Sequence, residues 1–160
     1  MAQITIRRYT VQDIDKIITL IEDFLQEDRG DVSYENHYKS IDFDKQKVYS
    51  TLINRHNDPD FFCHVVLCDQ EIVGGFCAYI AQPFFTTDRI AYDQLLYITP
   101  TFVNVRAVIR LIQKYVEWAS QRNVVECRLC SSTGYNQEAF TKLCKYTGFK
   151  SFEIGFVRRF

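Results

Sequence analysis

Asp93 is the only acid in the run IAYDQLLYI, among Tyr, Leu and Ile residues that favour a β-strand. A carboxylate in such a setting can act as a general base, or serve as a polar strand end or salt-bridge partner. Directly beyond it, LLYITPTFVNVRAVIRLIQKYVEW, from Leu95 to Trp118, reads as a strand passing through a Pro-containing turn into a long amphipathic helix. Such a junction offers unpaired backbone N–H groups and the positive end of a helix dipole, which suits a phosphate or pyrophosphate. Arg106 and Arg110 stand in the first turns of that helix, placed to add charge-assisted contacts or simply to be solvated. The turn carries none of the glycines that let a phosphate approach the backbone closely.

Other chemistry-bearing residues point to packing. Cys127 and Cys130 form a CxxC, but in the strand-like VVECRLC residues three apart face opposite ways and do not jointly clasp a metal. The six cysteines sit mostly in apolar runs and are expected to be reduced core thiols. No two of His37, His56 and His64 have metal-ligand spacing, so no metal is expected.

The elements that position these residues follow from periodicity. Ile4 and Ile6 alternate as a first strand, and Thr10 with Asp13 opens a helix through Leu25. Asp44 caps a second helix whose inner face holds Val48, Leu52 and Ile53, and Asn57, Asp58 and Pro59 end it. FFCHVVLC and EIVGGFCAYI, joined by Asp69 and Gln70, form a hairpin in which Gly74 and Gly75 mark a bulge or a close backbone approach. A strand over Ile90 to Ile98 leads to the helix from about Asn104 to Gln121, with Val108, Leu111, Ile112, Tyr115 and Trp118 inward. Strict alternation sets Tyr92, Gln94, Leu96 and Ile98 on one face and Asp93 on the other, unless a bulge intervenes. A strand from Val124 to Ser131, a short helix from Asn136 to Tyr146 and strand material from Phe149 to Val157 complete a mixed sheet with helices on both sides.

One domain is expected from 160 residues, 47% of them apolar. No apolar stretch reaches the roughly 18 residues of a membrane span, and the opening run is no signal peptide, so a cytosolic protein is expected. Residues 1–100 carry 9 basic and 16 acidic side chains, residues 101–160 carry 10 and 4, an asymmetry suited to an anionic ligand on one side and a cationic one on the other. No basic cluster with interleaved aromatics suggests nucleic acid.

Three spots in this order resemble the GNAT superfamily of N-acetyltransferases, in particular its phage and bacterial members. They are EIVGG in the hairpin, LYITP followed by RAVIRLI and EWA, and SSTGYN followed by YTGF. The resemblance runs over essentially the whole chain and implies an α/β GNAT fold using acetyl-CoA as co-substrate. Its pyrophosphate loop falls on Val103, Asn104, Val105, Arg106, Ala107 and Val108, with Val103 and Val108 at motif positions and Asn104 where many members have Gly. The resemblance puts the thioester beside Leu96, Tyr97 and Ile98, with a backbone N–H there polarising the acetyl carbonyl, and makes Asp93 the candidate base. The position of the family's general acid, four residues before the GF pair, is held by Cys144, whose other reading is a packing thiol; Tyr146 is about 200° further round the helix. Asn136 matches a position that contacts the pantetheine arm, and it also suits a helix N-cap.

On the acceptor side the resemblance points to the first two helices and their connection, where Glu22, Asp23, Glu27, Asp28, Asp31 and Glu35 gather with Tyr34, His37 and Tyr38. A small-molecule or peptide amine is the expected acceptor, and a homodimer is plausible. The departures at Val103, Asn104, Val108 and Cys144 leave a second reading open, a GNAT-fold protein without turnover that binds acyl-CoA or a protein partner.

Overall fold

The structure is a computed structural model in which residues 2–27, 42–102, 104–131 and 136–152 are described. Five strands form one sheet in sequential order: β1 (Ile4–Arg8), β2 (Phe61–Cys68), β3 (Glu71–Ala81), β4 (Ile90–Ile98) and β5 (Glu126–Cys127). The first four are antiparallel, and β4 pairs with β5 in parallel, which requires a crossover. Helix α3 (Val105–Ser120) supplies it. Helices α1 (Ile14–Gln26) and α2 (Lys45–Asn54) cover the opposite face, and α4 (Gln137–Tyr146) follows β5.

Alternation along β2 divides the core. Phe61, Cys63, Val65 and Leu67 pack with Ile14, Ile17, Ile18 and Phe24 of α1, whereas Phe62 and Val66 pack with Leu111, Tyr115 and Trp118 of α3. Both faces of the sheet are therefore buried, as the sequence periodicities require.

Local chemistry fixes the ends of these elements. Asp13 Oδ2 accepts from the Thr10 amide at 2.6 Å and the Thr10 hydroxyl at 2.9 Å, and the chain makes a 3-10 turn over Val11–Asp13 before α1 begins. Arg7 closes a two-pronged ion pair on the same carboxylate, at 2.6 and 2.9 Å. Asp44 caps α2 through the Lys47 amide as expected, but Ile53 is exposed rather than inward; Leu52 alone of that face is fully buried. The β2–β3 turn has positive φ at both Asp69 and Gln70, the backbone that a two-residue hairpin of right-handed twist demands. The closing GF pair forms a helix stop: Gly148, at φ +92°, donates to Lys145 O, and Phe149 donates to Cys144 O.

At Gly74 both sequence readings hold. The β2–β3 register shifts beside it, between Val66 and Leu67. A Cβ at Gly74 would lie 2.6 Å from Tyr97 O and 2.5 Å from Ile98 Cδ1, so the missing side chain is what lets β3 press against the end of β4.

Strand β5 is shorter than the sequence suggests. Two residues pair where Val124 to Ser131 were expected, because the strands part beyond Ala91 and Cys127. The expected last strand lies largely outside the described residues, as does the Ser132 to Tyr135 turn.

Candidate active site

The parting of β4 and β5 is built by Asp93. Arg128 N–H donates to Ala91 O at 2.9 Å, the last regular rung between the two strands. In parallel register the next rung would join Cys130 N–H to the main-chain oxygen of Asp93. Cys130 N–H instead donates to the side chain, Asp93 Oδ2, at 3.0 Å. The carboxylate thus stands between the strands as a wedge, and the gap opens toward the C-terminal end of β4, from which the chain turns into α3. Crevices at that end of a strand are where α/β sheets commonly hold ligands.

A second irregularity aims the wedge. Cys77 pairs with Leu95 and Ala78 with Asp93, so Gln94 is the extra residue of a β-bulge. The bulge overturns strict alternation: Ala91, Leu96 and Ile98 pack on the α3 side, while Leu95 and Tyr97 pack on the α1 side. Asp93, two residues from Ala91, shares its face with Leu96 and Ile98 rather than opposing them. Leu96, Tyr97 and Ile98 consequently do not line one surface.

Burial raises the Asp93 pKa above the ordinary carboxylate value, and hydrogen bonds from the Cys130 amide and thiol pull it part of the way back. Among the residues named from sequence, Cys144 feels the charge of Asp93. Burial pushes the Cys144 thiol up and the Asp93 charge pushes it further, so this half-buried thiol stays protonated at neutral pH. Tyr146 points to solvent.

Helix α3 follows β4 after a turn in which Phe102 N–H donates to Thr99 O. Asn104 is its N-cap: Oδ1 accepts from the Ala107 amide at 3.0 Å, and the Asn104 carbonyl takes the Ala107 and Val108 amides at 3.1 and 3.3 Å. The first-turn amides with no acceptor among the described residues are those of Val105 and Arg106. Ala107 is buried, Arg106 and Arg110 are exposed, and Val103 lies outside the described residues. Asn136 caps α4, its Oδ1 accepting from the Ala139 amide at 3.3 Å.

On the other face of the sheet, α1 and strands β2 to β4 line a small, partly open apolar pocket of about 30 Å³, with Ile17, Leu20, Ile21, Cys63, Cys77 and Leu95 among its walls. Cys63 and Cys77 face each other there with Sγ atoms 3.1 Å apart as free thiols. Among the described residues no group of three or more His, Cys, Asp or Glu side chains could hold a metal ion. Cys130, read from sequence as a core thiol, is exposed. Of the acidic acceptor-side residues, Glu22 is paired with Lys45 at 2.7 Å; Asp28, Asp31, Tyr34, Glu35, His37 and Tyr38 lie outside the described residues.

Sequence reasoning passed over two groups at the gap. Tyr115 was an inner-face position of a helix and Cys130 half of a CxxC; neither residue type nor spacing shows that both meet the last rungs of a parallel strand pair.

No family profile and no curated protein sequence matches the chain. Solved structures do. An aminoglycoside acetyltransferase from an uncultured soil metagenomic sample superposes with a TM-score of 0.71 at 18% identity, over 99% of each chain. Glucosamine-6-phosphate N-acetyltransferase from Arabidopsis thaliana gives 0.70 at 13% identity, again over 99% of each chain. The chain has the GNAT fold. A further GNAT match is the aminoglycoside N-acetyltransferase AAC(6')-Iy in complex with CoA, with a TM-score of 0.73 at 12% identity over 99% of this chain and 95% of that one. At these identities the likeness is one of GNAT architecture alone. No helix among the described residues is long and apolar enough to cross a membrane.

Proposed function

We propose that the protein is an acetyl-CoA-dependent N-acetyltransferase that acts on a primary amine by direct attack in a ternary complex. The observation that carries this reading is the Asp93-wedged gap between β4 and β5, at the end of β4 from which the chain runs on to α3, whose Val105 and Arg106 amides have no acceptor among the described residues. The gap accepts the pantetheine arm, and the Val105 and Arg106 amides with the Arg106 side chain hold the pyrophosphate. Asn136 and the Leu96 to Ile98 backbone complete the walls. The AAC(6')-Iy structures, one with CoA and one with a CoA-linked bisubstrate analogue, are consistent with a co-substrate of this kind.

In the reaction the acceptor ammonium gives a proton to Asp93, directly or through water, and the free nitrogen lone pair attacks the thioester carbon. The carbonyl oxygen becomes an oxyanion held by a β4 backbone N–H near Leu96 to Ile98. Collapse breaks the C–S bond, the nitrogen gives its second proton to solvent as the amide forms, and CoA leaves as a thiolate that takes a proton from solvent or from Cys144, which solvent then reprotonates. A raised Asp93 pKa fits the first step, because a base closer to the working pH holds the transferred proton better.

A second reading, an acyl-CoA binder without turnover, is favoured by Asn104, whose side chain takes the Ala107 amide that a glycine at this position would leave to a ligand. Calorimetry with acetyl-CoA followed by CoA-thiol release over a panel of amines separates the two. Binding with release on at least one amine is the expected result. Binding without release on any amine selects the second reading, and no binding at millimolar acetyl-CoA overturns both CoA readings.

A further inference from the structure

Two rungs are missing where β4 and β5 part, and a different side chain replaces each. In parallel register, Asp93 N–H would donate to Arg128 O and Cys130 N–H to Asp93 O. The Asp93 carboxylate takes the Cys130 amide. Arg128 O lies 2.9 Å from the hydroxyl of Tyr115, and the same hydroxyl lies 3.0 Å from Ala91 O. Tyr115 projects from α3 and is fully buried, its ring against Phe62, Phe76 and Trp118. Its oxygen therefore touches both strands at the root of the gap, one carbonyl on each side.

We propose that Tyr115 is a positioning residue: its hydroxyl ties Ala91 of β4 to Arg128 beyond β5 and so sets the width of the gap that receives the thioester arm. The inference rests on the acetyl-CoA reading for its functional part and on the strand geometry alone for its structural part. A hydroxyl shared between two carbonyls draws the strands together at one level, while Asp93 holds them apart at the next. Phe at position 115 would fill the same space and leave Arg128 O without this donor.

Tyr9 is the matched control. It is equally buried and its hydroxyl donates to Leu52 O at 2.6 Å, a contact between β1's end and α2 rather than at the gap. Tyr115→Phe and Tyr9→Phe are each measured for amide hydrogen exchange without ligand, for acetyl-CoA affinity by calorimetry, and for KM toward acetyl-CoA and toward the amine. The expected result is that Tyr115→Phe alone speeds exchange of the Cys130 amide, about tenfold, and raises the Kd and KM for acetyl-CoA by a similar factor, with the amine KM unchanged. Equal Cys130 exchange in the two variants overturns the proposal, whatever the protein binds. Faster Cys130 exchange in Tyr115→Phe, in a protein whose wild type does not bind acetyl-CoA, supports the structural role and sinks the cofactor reading instead.

Discussion

Asp93 and Cys130 meet as side chain to main chain: the carboxylate, 3.0 Å from the Cys130 amide, occupies the place of the carbonyl that a continued ladder would put there. One residue thus opens the gap and supplies the candidate base, and substitution can separate the two roles. Asp93→Asn keeps an oxygen to accept from Cys130 but cannot take the proton. Its turnover at neutral pH is expected to fall by about 10² or more, with acetyl-CoA affinity within about twofold of wild type. Asp93→Ala loses the wedge as well and should weaken binding too. Steady-state rates with calorimetry decide; an Asn variant as active as wild type places the base elsewhere.

If Asp93 is the base, the same carboxylate should set an acid limb, its working form being the anion. Its pKa in the folded protein is raised by burial. The rate under kcat/KM conditions should therefore fall, as pH drops, at a higher pH than an ordinary carboxylate would give, and Asp93→Asn should remove that limb. A limb at the ordinary carboxylate value would remove Asp93 as its source.

Arg106 stands exposed at the second position of α3, beside an open amide. Arg106→Ala should weaken acetyl-CoA binding about tenfold, and added salt should narrow the gap between variant and wild type. Titration at low and high ionic strength tests both. An unchanged affinity at low salt takes Arg106 out of the site.

Gly74 has no room for a methyl group beside Tyr97 O and Ile98 Cδ1. Gly74→Ala should cost about 2 kcal/mol in denaturant unfolding and, by moving the Tyr97–Ile98 backbone, lower kcat more than acetyl-CoA affinity. Gly148→Ala provides the contrast. Nothing lies within 4 Å of that Cβ but φ is +92°, so it should cost about 1 kcal/mol through backbone strain and leave β4 as it is.

Asp13 anchors the start of the chain's first helix, and its pKa is lowered from 3.8 to about 2 chiefly by the Arg7 hydrogen bonds. A depressed carboxylate stabilises the fold above its unfolded value and loses that contribution as pH falls toward its folded value. Asp13→Asn should therefore cost about 2 kcal/mol at neutral pH. The difference from wild type should close between pH 3.8 and about 2, as followed by urea unfolding across that range.

What was legible in the sequence is what depends on local pattern. The start of a helix near Asn104, the apolar stripe through Trp118 and the Asp69–Gln70 turn are each written in a few neighbouring residues, and each is present. The bulge at Gln94 was open in advance, because alternation within one strand does not reveal how many residues its partner spends. The shortness of β5 is harder still: VVECRLC has good strand composition, and what stops its pairing is a side chain 37 positions earlier. Ile53 keeps helical spacing with Val48 and Leu52 but lies past the edge of what α1 and the sheet cover. The role of Tyr115 depends on where two carbonyls end up after the strands part, information carried by no single segment.

Both ends of the candidate site are fastened to one helix. The open amides belong to the first turn of α3, and the hydroxyl at the root of the gap belongs to Tyr115, ten residues further along, or about 15 Å at helical rise. A rod of that length carries a tilt at one end to the other, so the proposed pyrophosphate and arm contacts would form a mechanically single unit. Substitutions at the two ends should then depart from additivity in their effects on affinity, even though the residues never touch.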